Sequence, residues 1–343
     1  LQACLRGEQP EHLEAERLRE VPWRELPIPE AEERDLPRDV TRIPEARPAH
    51  DSLPRFWGEV VQPRQAGAAD RLPDPLTASG VVPAGASALE PKAASPLLPG
   101  LDPGACTGCG RCWSACPDSA IGVTALGPEP LFTAASHVAG TEGDVAEALR
   151  RAHKHLAGRL AGELAKQENA ALEADTSREA WDWVAGRLNL SEDERPAYDG
   201  VFDTTLDVVD RLQPIVTEPF FRKPEQENKG AGEILVLAVN PSSCVGCELC
   251  IAVCPEEALQ PLERSPERTR EFEQRWRTWE ELPDTAGETL AQAAEHPEVG
   301  PLAAALMSRH CGLAQVGGAG GEPGSGERLA SRLVAGLVEQ HAQ

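Results

Sequence analysis

Eight of the ten cysteines stand in two runs of identical spacing, Cys106-Thr-Gly-Cys109-Gly-Arg-Cys112-Trp-Ser-Ala-Cys116-Pro117 and Cys244-Val-Gly-Cys247-Glu-Leu-Cys250-Ile-Ala-Val-Cys254-Pro255. Both obey C-x₂-C-x₂-C-x₃-C-P. Three thiolates two residues apart, on loops that carry Gly108 and Gly246, can take three irons of one cubane while backbone N–H groups turn inward on sulfide and thiolate. The fourth cysteine, followed by proline, points away and in two-cluster proteins ligates the other cluster. The spacing therefore assigns Cys106, Cys109, Cys112 and Cys254 to one [4Fe–4S] cluster and Cys244, Cys247, Cys250 and Cys116 to a second. Zinc sites favour paired C-x₂-C knuckles with four ligands per tetrahedron, and disulfide frameworks spread their cysteines over a loop-rich fold, so neither suits two tight runs of four.

Within these loops Arg111 and Trp113 occupy the first, and Glu248 and Leu249 the matching part of the second. Charge, hydrogen bonds to sulfur and exposure set cluster potentials, so Arg111 would favour reduction of its cluster and Glu248 oppose it. Other chemistry-bearing residues are weaker signals. Cys311 beside His310, and Cys4 alone, are ligands only if partners come from elsewhere, and a lone cysteine reads as a small buried hydrophobe. His153 and His155 are two apart on a predicted helix, face different ways and read as solvated polar residues. The Gly-rich stretch from residue 312 to 326 matches neither phosphate-loop pattern and reads as a linker or turn, with phosphate contact as the alternative. No nucleophile elbow, H-E-x-x-H or triad signature appears, so the chain shows no self-sufficient catalytic centre.

The elements that must position the two loops follow from periodicity. A strand is expected around Ala120 to Val123, paired with a counterpart beside the second motif, and the β-branched apolar run from Ile234 to Val239 feeds straight into that motif. The 127 residues between Cys116 and Cys244 read as a helical insertion. Val145, Leu149, Ala152, Leu156, Leu160 and Leu164 give one apolar stripe; Trp181, Val184 and Leu188 a second; Phe202, Leu206 and Val209 a third, opened by the capping box Ser191 to Glu194 with Pro196 in the first turn. Ser265-Pro266 caps a further helix with Phe272, Trp276 and Trp279 on one face, against core or a partner. Leu329, Leu333 and Leu337 suggest one more. Residues 1–100 hold 15 of the 31 prolines and read as an extended arm or linker in which Trp23, Phe56 and Trp57 seek an apolar surface. The expected domains are that arm, a split cluster domain at 101–130 and 232–262, the insertion at 131–231, and a helical segment at 263–343 with the Gly-rich start of a further domain.

The chain has 343 residues with 33 Lys and Arg against 56 Asp and Glu, a net charge of −23, which argues against nucleic acid or an anionic membrane surface as partner. At 41% hydrophobic residues plus 30 glycines there is enough apolar material for a core, and no run is long enough for a membrane span. It starts at Leu1 and its one methionine is Met307, as in a processed chain or a piece of a longer polypeptide. Clusters of this kind are assembled in reducing cytosol, so the expected compartment is cytoplasmic.

At the stretches Ala105 to Ile121 and Val239 to Pro255 the sequence resembles the two-[4Fe–4S] ferredoxin-like domain of pyruvate:ferredoxin oxidoreductase and related 2-oxoacid:ferredoxin oxidoreductases. The resemblance implies an α+β fold: a bacterial-ferredoxin-like core with a large helical insertion and an extended Pro-rich N-terminal arm. It implies one-electron relay through both clusters, from thiamine diphosphate and magnesium on a partner domain or subunit to ferredoxin or flavodoxin as acceptor. This chain shows no Gly-Asp-Gly…Asn pattern for thiamine diphosphate, and Cys311 lacks the nearby second cysteine that family would use for a further cluster. The rival readings are a ferredoxin-like subunit of another complex, such as a dehydrogenase or hydrogenase, and a structural or sensory iron–sulfur module.

Overall fold

The computed structural model describes residues 60–68, 96–167, 170–312, 329–334, 336 and 338. Residues 60–68 belong to a separate unit, Leu1–Ala86, where Gln62–Gln65 form one helical turn. Most of the expected arm, with Cys4, Trp23, Phe56 and Trp57, and the Gly-rich stretch from residue 313 onward, lie outside the described residues.

Among its described residues the second unit, Ser87–Gln343, carries four strands in two antiparallel pairs. These are β1 (Leu97–Leu101), β2 (Ile121–Leu126), β3 (Ile234–Val239) and β4 (Leu259–Glu263). β1 pairs with β4, Leu97 opposite Glu263 and Leu101 opposite Leu259, and β2 pairs with β3, Ile121 opposite Val239 and Leu126 opposite Ile234. Each motif thus lies between two strands that belong to different pairs. The first pair takes in Leu97 to Gly100, which sequence reading left in the arm, so the cluster domain reaches back at least to Leu97.

β2 and β3 are buried along their whole length, because both faces of their ladder are covered. Side chains alternate across a strand. Ile121, Val123, Ala125, Leu235, Leu237 and Val239 enter one core with Leu98, Trp113 and Leu259 around the cysteine loops. Leu126, Ile234, Val236 and Ala238 enter a second core built by the insertion. Gly122 is a close-approach position on that second face: a Cβ there would lie 2.7 Å from the Trp279 ring.

The insertion is helical, as its periodicity requires. α1 (Arg111–Ala115) belongs to the first cysteine loop; then come α2 (Pro128–Val138), α3 (Asp144–Leu164), α4 (Ala174–Ala185), α5 (Arg195–Leu212) and, after a π turn at Glu218–Arg222, α6 (Lys223–Glu227). Leu149, Leu156, Leu160 and Leu164 of α3 are buried, with Val145 half-buried at its start. Trp181 stacks on Phe202 at 5.0 Å between ring centres and Phe202 on Phe132 at 6.1 Å, tying α4, α5 and α2 together. Leu188 lies beyond the end of α4. The capping box forms one turn ahead of α5: Ser191 N donates to Glu194 Oε2 (2.9 Å) and Glu194 N to Ser191 Oγ (3.3 Å). His153 is buried rather than solvated, its Nδ1 3.0 Å from Thr133 Oγ1, whereas His155 is exposed. The neighbours of His153, Phe132 at 6.2 Å between ring centres and Thr133, come from α2, which spacing along one helix does not show. At the exit, the buried Glu225 carboxylate accepts from Gly230 N (2.8 Å) and Gly232 N (3.1 Å), fixing the turn into β3.

After α7 (Leu249–Ala252) in the second loop and β4, α8 (Pro266–Glu280) starts at Ser265, whose Oγ accepts from Arg268 N at 3.2 Å. Phe272, Trp276 and Trp279 all go into core, not onto a partner surface. α9 (Gly287–Glu295), α10 (Gly300–Ala305) and α11 (Arg309–Gly312) follow, and residues 329–334 are again helical. Thr285, between α8 and α9, accepts from Ala125 N at 3.1 Å, so the outer edge of β2 is covered.

Candidate iron–sulfur centre

The two cysteine loops are built alike, position by position. Gly108 (φ 77°) precedes Cys109 as Gly246 (φ 62°) precedes Cys247. Gly110 (φ 78°) and Glu248 (φ 60°) hold the next left-handed position, each as the residue before a short helix, α1 or α7. Ser119 (φ 51°) and Glu257 (φ 50°) hold a third beyond the cysteine-proline step. Ahead of each run an Asx turn sets the chain: Asp102 Oδ1 accepts from Gly104 N and Asn240 Oδ1 from Ser242 N, both at 2.9 Å. Asp102 N donates to Ala258 O and Asn240 N to Ala120 O, both at 2.8 Å, so each loop is hooked onto the far end of the other.

That cross-hooking mixes the cysteines. One cavity is lined by Cys106, Cys109 and Cys112 with Cys254, the other by Cys244, Cys247 and Cys250 with Cys116. The short helix of the first loop, α1, packs against α7 of the second, so the cavities adjoin. Leu101 and Leu237 line the first cavity, Ile121 and Val239 the second, and their walls are otherwise largely apolar. Cys247 is exposed, Cys250 buried and the other six lie between. The first loop is the more covered: a Cβ on Gly110 would stand 2.5 Å from Ala303 Cβ, and Trp113 Nε1 donates to Ala303 O at 3.0 Å, so α10 sits on this loop. Glu248 at the matching place is exposed.

Burial pushes the Cys106 and Cys244 thiols up to about 11 and Cys250 to about 12, with neighbouring sulfurs adding to the rise. Cys112 is pushed well up by the same causes, and Cys116 is raised by burial against the opposing pull of the Ala120 and Asp118 amides. Ala120 N donates to Cys116 Sγ at 3.2 Å. Four sulfurs converging in a low-dielectric cavity without a cation cannot ionise together; bound iron supplies the missing positive charge and turns thiols into thiolates. No three His, Cys, Asp or Glu side chains among the described residues could hold a single metal ion. A cubane has an iron at each of four corners and takes one thiolate at each, so the four cysteines of each cavity match the ligands of one [4Fe–4S] cluster.

Arg111 lines the first cavity and Glu248 the second, both from the exposed side. Sequence reading missed two further arginines. Arg264 Nη2 donates to Pro241 O (3.0 Å) and Cys244 O (3.3 Å), and Arg332 Nη1 donates to Cys116 O (3.2 Å). Neither lies in a cysteine run, and nothing in local spacing marks them. Cys311 is buried in the core beside the loops, as a lone cysteine should be. Among the described residues no helix is long and apolar enough to cross a membrane.

The family model described as a 4Fe-4S binding domain matches the chain twice, at residues 99–122 and 237–260. These segments run from within β1 through the first loop into β2 and from within β3 through the second loop into β4. Comparison with curated proteins and with solved structures finds no match. Two 4Fe-4S binding segments, folded against each other in an α+β unit, make this an iron–sulfur electron-transfer module of the two-cluster, ferredoxin-like type.

Proposed function

We propose that the chain is the electron relay of a 2-oxoacid:ferredoxin oxidoreductase of the pyruvate type. Cys106, Cys109, Cys112 and Cys254 would hold one [4Fe–4S] cluster, and Cys244, Cys247, Cys250 and Cys116 the other. The observation that carries the relay is the pair of adjoining cavities, each lined by three cysteines of one run and the fourth of the other. A cubane so held supplies a reversible one-electron couple whose potential responds to charge, hydrogen bonds and exposure. The chain's residues do the rest: the left-handed positions wrap the loops, the Ala120 amide donates to sulfur, and Leu237 with Val239 keeps the strand between the two sites dry.

The 2-oxoacid context rests on the resemblance of the two motifs and their surroundings, with thiamine diphosphate and magnesium on a partner domain or subunit and ferredoxin or flavodoxin as acceptor, in a reducing cytoplasm. The test is anaerobic iron and acid-labile sulfide analysis with dithionite-titrated EPR, on the full chain and on Cys106→Ser and Cys244→Ser. About eight irons and two interacting S = ½ signals, each serine perturbing mainly one, are expected. Zinc, or iron that never reduces, would leave only a structural module. Reduction of the clusters by a 2-oxoacid and coenzyme A in the presence of the co-purifying partner tests the enzyme context; reduction by NADH or hydrogen instead would assign the relay to another complex.

A further inference from the structure

The two cavities are near copies in backbone, so what differs between them stands out. On the second, Arg264 bonds the carbonyls of Pro241 and Cys244; at the matching position in the other half stands Leu126, the last residue of β2, which is buried in the insertion core. Also on the second, Arg332 reaches in from the helical residues 329–334, one arm on Cys116 O and the other on Gly312 O at 3.3 Å, with only 3% of the residue exposed. The matching carbonyl of Cys254 is met by a backbone amide, that of Glu257, at 3.4 Å.

Acidic groups must be set against these. Asp118, 2% exposed, lines the second cavity, and its counterpart Glu256 lines the first but is exposed. Arg111 on the first and Glu248 on the second are exposed as well, and charges in water are screened where buried ones are not. Among the described residues, the buried Arg332 and the half-buried Arg264 stand against one buried carboxylate, an excess of positive charge at the second cavity. The first has no such excess among these groups.

We propose that Arg264 and Arg332 are positioning residues for electron transfer: bound to the carbonyls of Cys244 and Cys116, they raise the potential of the second cluster above that of the first, so that the second holds the electron at rest. The proposal rests on the relay reading given above. Reduction adds one electron and one negative charge to a site that already carries four thiolates, and a nearby fixed cation favours that state while hydrogen bonds to the ligand backbone draw charge off sulfur. The exposure of Cys247 acts in the same direction, since water solvates the more highly charged reduced form.

The experiment is an anaerobic potentiometric titration with dithionite as the one-electron donor, followed by EPR, on the full chain. The second cluster's signal is assigned as the one that Cys247→Ser perturbs. In the unsubstituted protein that signal is expected to appear first. Arg264→Gln and Arg332→Gln should each lower its couple by roughly tenfold in the reduction equilibrium, 59 mV for one electron, without moving the other couple. Arg264→Lys, which keeps the charge, should retain most of the wild-type potential. The proposal is overturned if the first cluster reduces first, or if the glutamine variants move both couples together or neither. Should Arg332→Gln not retain iron, the order in the unsubstituted protein and the Arg264 pair decide. Eight irons with two reducible signals but no such order would sink the arginine assignment alone; an unsubstituted chain without reducible iron would sink the relay as well.

Discussion

Gly110 and Glu248 occupy the same left-handed backbone position in the two cysteine loops, at φ 78° and 60°, yet only Gly110 lies under a neighbouring helix. Position alone does not demand glycine; a side chain is accepted at Glu248 because that side of its loop faces water. Gly110 answers two demands at once, the backbone angle and the approach of Ala303 and Trp113.

Gly110→Ala should therefore cost more than the roughly 1 to 2 kcal/mol of left-handed strain alone, since its Cβ would press 2.5 Å from Ala303 Cβ. Glu248→Gly, which relieves the same strain, should leave stability unchanged or raise it by less than about 1 kcal/mol. Thermal unfolding followed by tryptophan fluorescence checks both, and equal losses in the two variants would refute the distinction.

Arg309 closes the end of α8: its guanidinium donates to the carbonyls of Trp279 (2.7 Å), Glu280 (2.9 Å) and Leu282 (2.6 Å) and stacks over the Trp279 ring at 4.6 Å. Arg309→Met keeps the apolar stem and takes a donor from all three carbonyls, of which Trp279 O still accepts from Leu282 N (3.1 Å), for an expected loss of about 2 to 4 kcal/mol. Arg309→Lys should recover only part, because one ammonium cannot span a fork. Urea denaturation midpoints of the three proteins supply the comparison.

His153 gives the insertion a pH dependence. Burial, with Arg150 and His137 nearby, lowers its pKa to about 4 from the usual 6.5. The unfolded chain then binds the extra proton between these values and the folded chain does not, so stability is full above pH 6.5, falls as pH drops toward 4 and levels off below. The full swing is on the order of 3 kcal/mol. His153→Gln should flatten that part of the curve of unfolding free energy against pH, and an unchanged slope would show that other groups carry it.

Stripping iron should leave sluggish thiols. With Cys250 pushed up to about 12 and Cys106 and Cys244 to about 11, on the order of one in a thousand of these or fewer is thiolate at pH 8. Iodoacetamide labelling of the chelator-treated protein, read by mass spectrometry, should reach the exposed Cys247 well before buried Cys250, with the lag shrinking as pH rises. Equal rates at pH 8 would mean that the cavities do not survive without their metal.

The parts legible in the sequence were those written locally. The cysteine runs, the apolar run of β3, the stripe of α3, the Ser191–Glu194 box and the Ser265 cap each involve neighbours a few residues apart, and each formed. β1 was not legible because Leu97-Leu-Pro-Gly-Leu101 carries a proline and a glycine in five residues; it is a strand only because β4 lies opposite, with Pro99 facing Pro261. The residues that distinguish the two cavities were hidden by distance. Ala303 meets Trp113 across 190 positions and Arg332 meets Cys116 across 216, contacts that no periodicity encodes. His153 was misjudged for the same reason: its surroundings come from α2.

The β2–β3 ladder has one face in each core and its strands are parted by the whole insertion. Pairing across such a gap is slow for a random chain, since loop closure is entropically costly before any contact rewards it. Helices α2 to α5 are local structures that can assemble early, and once packed they hold Leu126 and Ile234 side by side. The insertion is then a folding scaffold: it converts the long search of one cysteine loop for the other into a short one. Each cavity likewise has its fourth cysteine only when the two loops have been brought together.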